Sequence, residues 1–199
     1  MARTRAADYD EKRLAILHKS ALEFAKKGYD KTSMSQIARV CGVSKALLYH
    51  YYENKEGLLC DILRYHLQDL VDVVSEANDN SLEPKTRLNA LCRALMRAYE
   101  GSDNEHKLQI NEMSYLDDDR RQELYALERQ LVAIFADAVA AANPHLEGKR
   151  ELIKPITMSL FGMLNWSYLW LRPEGELTRD GYADLATQLL LSGSQTLKA

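Results

Sequence analysis

Apolar side chains recur along this 199-residue chain at intervals of three and four, the spacing that lines one face of an α-helix. Leu14, Leu17, Ala21 and Phe24 predict a first amphipathic helix that ends at Gly28. Ile37 and Cys41 predict a short second helix, and Leu48 and Tyr51 a third from about Lys45 to Tyr51. A long fourth helix is expected from Lys55 to about Ala77, with Leu58, Leu59, Ile62, Leu63, Leu67, Leu70 and Val74 on its inner side. The polar run Asn78–Ser81 breaks the pattern. Pro84, tolerated in a first turn because no N–H is needed there, then opens a helix carrying Leu88, Leu91, Leu95 and Tyr99 to Gly101. Further helices are expected from about Asn104 to Leu116, from about Arg120 to Ala142, over Ile156–Leu171, and from a Thr178 cap to about Leu197. The chain has no alternating polar and apolar stretch, no Asn-Gly hairpin turn and no internal repeat. The pattern predicts an all-α protein of about nine helices.

The segment between the first and fourth helices carries the most specific local signals. Ser33 and Gln36 stand at capping-box spacing, so Ser33 can accept from an orphan amide while Gln36 reaches back. Ala38 is small where two helices cross, and Gly42, four residues on, supplies the positive φ of a tight turn. Ile37, Cys41, Val43, Leu48 and Tyr51 then fall on the inner side, and Ser44 caps the third helix. Lys45, Ala46, Tyr49 and His50 face outward, a set suited to a major groove and its flanking phosphates. Asn54 is placed to cap the fourth helix and leaves Lys55 at its start, where free amides and the helix dipole favour a phosphate. An ordinary helical hairpin has no reason to satisfy all these conditions at once. The segment is read as a helix-turn-helix that binds double-stranded DNA.

The run from Gly42 to Leu59, GVSKALLYHYYENKEGLL, resembles the signature of the TetR family of transcriptional regulators. Ala21–Gly28, closing the first helix, and Thr32-Ser33-Met34, opening the second, agree with it. The resemblance implies an N-terminal three-helix DNA-binding domain over residues 9–54 and a C-terminal helical ligand-binding and dimerisation domain over 55–199. It implies that Thr32 and Ser33 touch the DNA backbone, with Ser44 at the head of the recognition helix. Lys45 and Ala46 would face bases, Tyr49 and His50 would clamp phosphates or base edges, and Lys55 would hold a phosphate. Many members carry Gly or Thr after that lysine. Here Ala46 and Leu47 offer apolar surface suited to a thymine methyl.

Charge is divided to match. The formal net charge of −3 combines 11 Lys/Arg against 7 Asp/Glu in residues 1–60 with 15 against 22 in residues 61–199. A basic end on an acidic body fits one face meant for a polyanion. Arg3 and Arg5 are candidates for a minor-groove arm or an unstructured start. Cys41, Cys60 and Cys92 lie far apart without a Cys-x-x-Cys pair, which argues against disulfides and zinc. With charge rather than an apolar run following Met1, this predicts a cytoplasmic protein. The five histidines are scattered and no Glu-x-x-His pair, nucleophile elbow, phosphate loop or dinucleotide fingerprint occurs. Neither an enzyme nor a cofactor or metal site is expected.

Residues Ile156–Leu171, bracketed by Pro155 and Pro173, contain no charge and are apolar around the whole circumference, so burial on every side is expected. Such a helix spans about 24 Å, short of a bilayer core of about 30 Å, and Asn165 would sit inside it. Burial against a second subunit and an internal pocket explains the pattern better. The following helix, with Tyr182, Leu185, Ala186, Leu189, Leu190 and Gly193, completes a dimer-forming pair of the kind the TetR resemblance implies. A homodimer also suits a palindromic operator, because one short recognition helix makes few contacts. For an effector pocket the candidates are Tyr99, Met163 and Trp166 as wall, and Asn111, Glu112, Tyr115, Arg120, Arg121, Asn165 and Tyr168 as polar groups. The segment Phe161–Trp166 with Trp170, Arg172 and Pro173 resembles TetR-type repressors of fatty-acid, steroid and aromatic-acid breakdown. That implies a repressor released by a hydrophobic molecule, in particular an acyl-CoA thioester, with Arg120, Arg121 or Arg172 meeting phosphate. The competing expectations are a xenobiotic-responsive efflux repressor of the same fold and an architectural DNA-binding protein without an effector.

Overall fold

The computed structural model describes residues 2–172 and 174–197, with side chains described from Tyr9 onward. Among them the backbone forms nine α-helices and no strand. In chain order these are α1 (Ala2–Lys27), α2 (Met34–Cys41), α3 (Lys45–Tyr51), α4 (Lys55–Glu76), α5 (Pro84–Ala98), α6 (Asp103–Glu112), α7 (Asp118–Ala142), α8 (Arg150–Asn165) and α9 (Arg179–Ser194). Short 3₁₀ turns follow α6 at Met113–Tyr115, α7 at Pro144–Leu146 and α8 at Trp166–Leu169.

Packing divides the chain into two units. One comprises residues up to Leu67 together with Ser102–Tyr125; the other comprises Gln68–Gly101 together with residues from Ala126 on. Packing thus groups the start of α4, all of α6 and the start of α7 with the first three helices. The reason lies in long-range partners. Lys107 of α6 donates to the Ala25 carbonyl at 3.0 Å, His18 of α1 meets Glu105 of α6 at 2.9 Å, and Arg64 of α4 holds Glu123 of α7 at 2.6 and 2.8 Å.

In the first unit α1 packs on α2 and α6 around Ile16, Leu17, Ala21, Phe24, Ile37, Leu48, Leu58 and Ile62, all essentially inaccessible to water. Burial of each large side chain contributes about 1.5–3 kcal/mol. In the second unit Leu88, Leu91, Leu95, Phe135, Leu160, Leu164, Ala183 and Ala186 form the core, with Phe135 and Phe161 edge to face at 5.0 Å. Small Ala183 and Ala186 are fully buried on α9, which packs on α5 and α8. Arg93 and Asn89 fasten α5 to α9 through Asp184, and Arg97 pairs with Asp180.

The uncharged helix differs from its expected form. α8 begins at Arg150, runs through Pro155 and ends at Asn165. Pro155 is the sixth residue of α8, past the four first amides that have no partner within a helix, so it forgoes the one bond its amide would have made to the Glu151 carbonyl. Burial of α8 is also one-sided: Ile156, Leu160, Phe161 and Leu164 face the core, while Met158 on the helix and Trp166 just beyond it are 47% and 50% exposed. Pro173 lies outside the described residues. No helix among the described residues is long and apolar enough to cross a membrane.

Candidate nucleic-acid interface

Local chemistry shapes the turn before α3. Gln36 N–H donates to Ser33 Oγ at 3.3 Å, and Gln36 Oε1 accepts from Ser33 N–H at 2.7 Å, closing the capping box. Gly42 takes φ 72°, and Val43 N–H reaches back to the Ala38 carbonyl at 3.0 Å, so the chain leaves α2 in a left-handed turn that strains any residue but glycine. Ser44 Oγ then accepts from Leu47 N–H at 3.1 Å and starts α3. Asn54 Oδ1 accepts from Gly57 N–H at 2.7 Å and starts α4.

α3 is seven residues long, and Leu48 is its one buried side chain. Lys45, Ala46, Leu47, Tyr49 and His50 are all exposed, as is the Ser44 cap before them. The Lys45 ammonium stands 5.7 Å from the centre of the Tyr49 ring, so the two outermost groups share one face a single turn apart. A cation, an aromatic hydroxyl, an imidazole and two small apolar surfaces thus project together from a helix anchored at one point. Such a set can offer hydrogen bonds to phosphate and base edges and van der Waals contact to a methyl group.

Not every expected contact is presented this way. Ser33 is exposed, but Thr32 is only 1% exposed and its hydroxyl donates to the Gly28 carbonyl at 2.8 Å. Thr32 is thus turned inward, where its hydroxyl closes the chain after α1. The Lys55 ammonium donates to the Tyr29 carbonyl at 2.8 Å and to that of Asp30 at 3.4 Å, and lies 4.2 Å from the Tyr29 ring centre. At most one of its three donors remains for a phosphate. The side chains of Arg3 and Arg5 lie outside the described residues.

The sequence did not single out Asp61, whose carboxylate is central to the unit. It is 7% exposed and accepts from Arg13 at 2.9 and 2.6 Å, from the Tyr52 hydroxyl at 2.7 Å and from Arg64 at 3.4 Å. A signal was present. An aspartate inside the run Leu58-Leu59-Cys60-Asp61-Ile62-Leu63 is a charge where a core is forming, and such charges are almost never buried unpaired. The Arg13 guanidinium beside it is held above its usual range by the bond to Asp61.

The expected effector residues do not gather as one set. Asn111, Glu112, Tyr115, Arg120 and Arg121 belong to the first unit and are engaged there. Tyr115 donates its hydroxyl to Asp30 and sets its ring at a tilt to that of Tyr29, centroids 4.8 Å apart; Arg120 pairs with Glu56 at 3.2 Å; Arg121 pairs with Asp118 and the Leu116 carbonyl; Asn111 donates to the Lys107 carbonyl. Burial raises the Glu112 carboxyl above its ordinary value. Tyr115 and Arg120 thus clamp the α6–α7 junction onto the loop before α2 and the head of α4. In the second unit Tyr99 donates to Asn165 Oδ1 at 2.8 Å, and its phenol is raised far above the usual range by burial. Met163 and Tyr168 are half-buried and Trp166 is half-exposed. A cleft of about 430 Å³ lined by Asp137, Asn143, Glu147 and Arg150, and another of about 210 Å³ beside Trp170 and Arg172, include none of the ten.

Residues 16–62 match the family described as bacterial regulatory proteins, tetR family, and residues 81–194 match the tetracyclin repressor-like C-terminal domain. A TetR-family transcriptional regulator from Bordetella parapertussis 12822 is similar in structure, with a TM-score of 0.85 at 35% identity over 94% of this chain and 97% of that one. AibR, solved in complex with isovaleryl coenzyme A and operator DNA, has a TM-score of 0.76 at 28% identity over 90% and 98% of the two chains. The HTH-type transcriptional repressor KstR2 of Rhodococcus jostii (strain RHA1) is 24% identical over 184 residues, 92% of this chain and 90% of that protein.

Proposed function

Because the chain belongs to the tetR family of bacterial regulatory proteins, we propose that it is a homodimeric repressor whose paired α3 helices read a palindromic operator and whose release is triggered by an acyl-CoA thioester. The observation that carries the DNA half is the exposed row Lys45, Ala46, Leu47, Tyr49 and His50 on a helix with Leu48 as its sole buried anchor. Two such helices about 34–36 Å apart would meet successive major grooves. The dimer is supported by the uncovered apolar surface of α8, α9 and the turn between them, where Met158, Trp166, Leu169, Trp170, Leu185 and Leu189 are 42–67% exposed.

The effector half has two supports: AibR, 28% identical to this chain, was solved in complex with isovaleryl coenzyme A, and the second unit offers Tyr99, Met163, Asn165, Trp166 and Tyr168 as contacts. Binding and release follow one equilibrium. A ligand that prefers one setting of α4 and α7, each of which contributes to both units, weakens DNA binding by the factor that DNA weakens ligand binding.

Selection of bound fragments from genomic DNA, followed by titration of the complex with short, long and aromatic acyl-CoAs and with lipophilic drugs, tests the reading. The expected result is a palindrome that survives competitor DNA and is released by one acyl-CoA class. Binding without sequence preference would reject the regulator. Release by a drug and by no acyl-CoA would reject the thioester in favour of an efflux repressor.

A further inference from the structure

By spacing, Tyr51 belongs to the inner side of α3, where the ring of the buried Tyr52 lies 6.3 Å from its own. The Tyr51 ring is half-buried and stacks on Tyr9 of α1, with centroids 4.7 Å apart and planes 23° from parallel. Tyr9 is itself 44% exposed, so burial does not hold it there. It stands two turns ahead of Ile16, one of the deeply buried core residues of α1, and its ring contact is with the recognition helix. Tyr51 also meets the His50 ring edge-on at 6.0 Å. Tyr9, Tyr51 and His50 therefore form a row of rings from α1 to the exposed face of α3.

A seven-residue helix needs such support. Backbone hydrogen bonds alone do not keep so short a helix formed. Leu48 secures its middle and the Tyr52–Asp61 bond secures the residue beyond its end. Between them the turn bearing Tyr49, His50 and Tyr51 is steadied from the side by Tyr9. We propose that Tyr9 is a positioning residue for DNA reading: through its stack on Tyr51 it fixes the last turn of α3 and so the direction in which His50 and Tyr49 project. The inference rests on the helix-turn-helix reading above.

The surroundings favour this indirect role over a phosphate contact by Tyr9 itself. The exposed carboxylate of Asp10 adjoins the stack; burial, then Tyr9 and Asp10, raise the Tyr51 phenol above its ordinary value. A phosphate brought to that spot would meet a like charge.

Full-length Tyr9→Ala, Tyr9→Phe and Tyr51→Ala variants and the double variant Tyr9→Ala/Tyr51→Ala separate the possibilities. In titrations against the selected operator, Tyr9→Ala is expected to bind roughly two- to tenfold more weakly with an unchanged salt slope, and Tyr9→Phe to bind as the original does. Tyr9→Ala should add nothing once Tyr51 is already alanine. In the free protein, amide exchange over residues 49–52 should quicken in Tyr9→Ala and not in Tyr9→Phe. Unchanged exchange and affinity in Tyr9→Ala would overturn the proposal. So would a Tyr9→Phe protein as weak as Tyr9→Ala with a shallower salt slope, which would mark a hydroxyl–phosphate contact. Because exchange is read without DNA, a stack that steadies α3 in a protein lacking sequence-specific binding would condemn the repressor reading rather than the stack.

Discussion

The hydroxyl of Tyr52 donates a 2.7 Å hydrogen bond to the buried carboxylate of Asp61, joining the residue that closes α3 to the second turn of α4. Arg13 brings two further donors from α1 to the same carboxylate. The Tyr52 phenol is driven far above its usual range by burial and by this bond, so it remains a donor. One charge thus sets three helices in register. Asp61→Ala would strand the Arg13 guanidinium and the Tyr52 hydroxyl, with an expected loss of about 2–4 kcal/mol in stability. Tyr52→Phe removes one bond to a charged group and should cost about 1.5–3 kcal/mol. Thermal unfolding of both variants measures this; an Asp61→Ala protein that melts with the original would contradict it.

Lys45 and Tyr49 occupy one exposed face but should act differently on DNA. Lys45→Ala is expected to change which bases are preferred and to cost about 1–3 kcal/mol at the best site. Tyr49→Phe should weaken all sites alike, because a phosphate contact carries no sequence. Binding isotherms on the operator and on single-base variants of it distinguish the two patterns. Equal losses at every sequence for both variants would refute the division of roles.

Thr32 and Lys55 were expected at the DNA, and the structure engages both internally. Thr32→Val should lower stability by about 1 kcal/mol while leaving the salt dependence of DNA binding intact. Lys55→Ala should lower the melting temperature of the free protein by releasing the Tyr29 carbonyl. If phosphate takes the remaining donor, the same change also reduces the salt slope by about one. Melting curves without DNA and affinities over a salt series give both readings.

His66 is 3% exposed and faces His106 edge-on at 5.8 Å; burial, and then the neighbouring imidazole, lower its pKa to about 3. Its folded value lies below the ordinary 6.5, so the unfolded chain takes up a proton that the folded one refuses. Stability is therefore full above about pH 6.5 and falls as the pH drops toward 3, by about 1.4 kcal/mol for each unit. Chemical denaturation at a series of pH values should show this slope, and His66→Leu should flatten it. A slope unaltered by that substitution would assign the acid sensitivity elsewhere.

Leu185 and Leu189 lie exposed on α9 at 42% and 57%, and Leu189 is among the most exposed large apolar side chains described. Light scattering at micromolar concentration is expected to give the mass of two chains. Leu185→Glu combined with Leu189→Glu should give one chain that keeps its helical content, since neither side chain belongs to the core of its own subunit. A dimer that survives the pair of charges would place the subunit contact on another surface.

Much of the DNA-reading element was legible without coordinates. Gly42, the Ser33–Gln36 capping box and the Ser44, Asn54 and Thr178 caps act within three or four residues of themselves, so their chemistry is written where it is used. Periodicity likewise placed Leu48 inside and Lys45, Ala46, Tyr49 and His50 outside, because a helix face is set by spacing alone. What spacing cannot supply is the partner of a polar side chain. Tyr115 reaches Asp30 across 85 residues and Arg13 reaches Asp61 across 48, and only the packed chain brings each pair together. Those meetings decided that Thr32 is sealed in, that Tyr115 and Arg120 clamp the reading head, and that the expected effector residues divide between two units. Helix by helix, short-range hydrogen bonding and hydrophobic period determined the elements; which buried charge answers which was settled by desolvation, which tolerates a polar group in the interior only when another element meets it there.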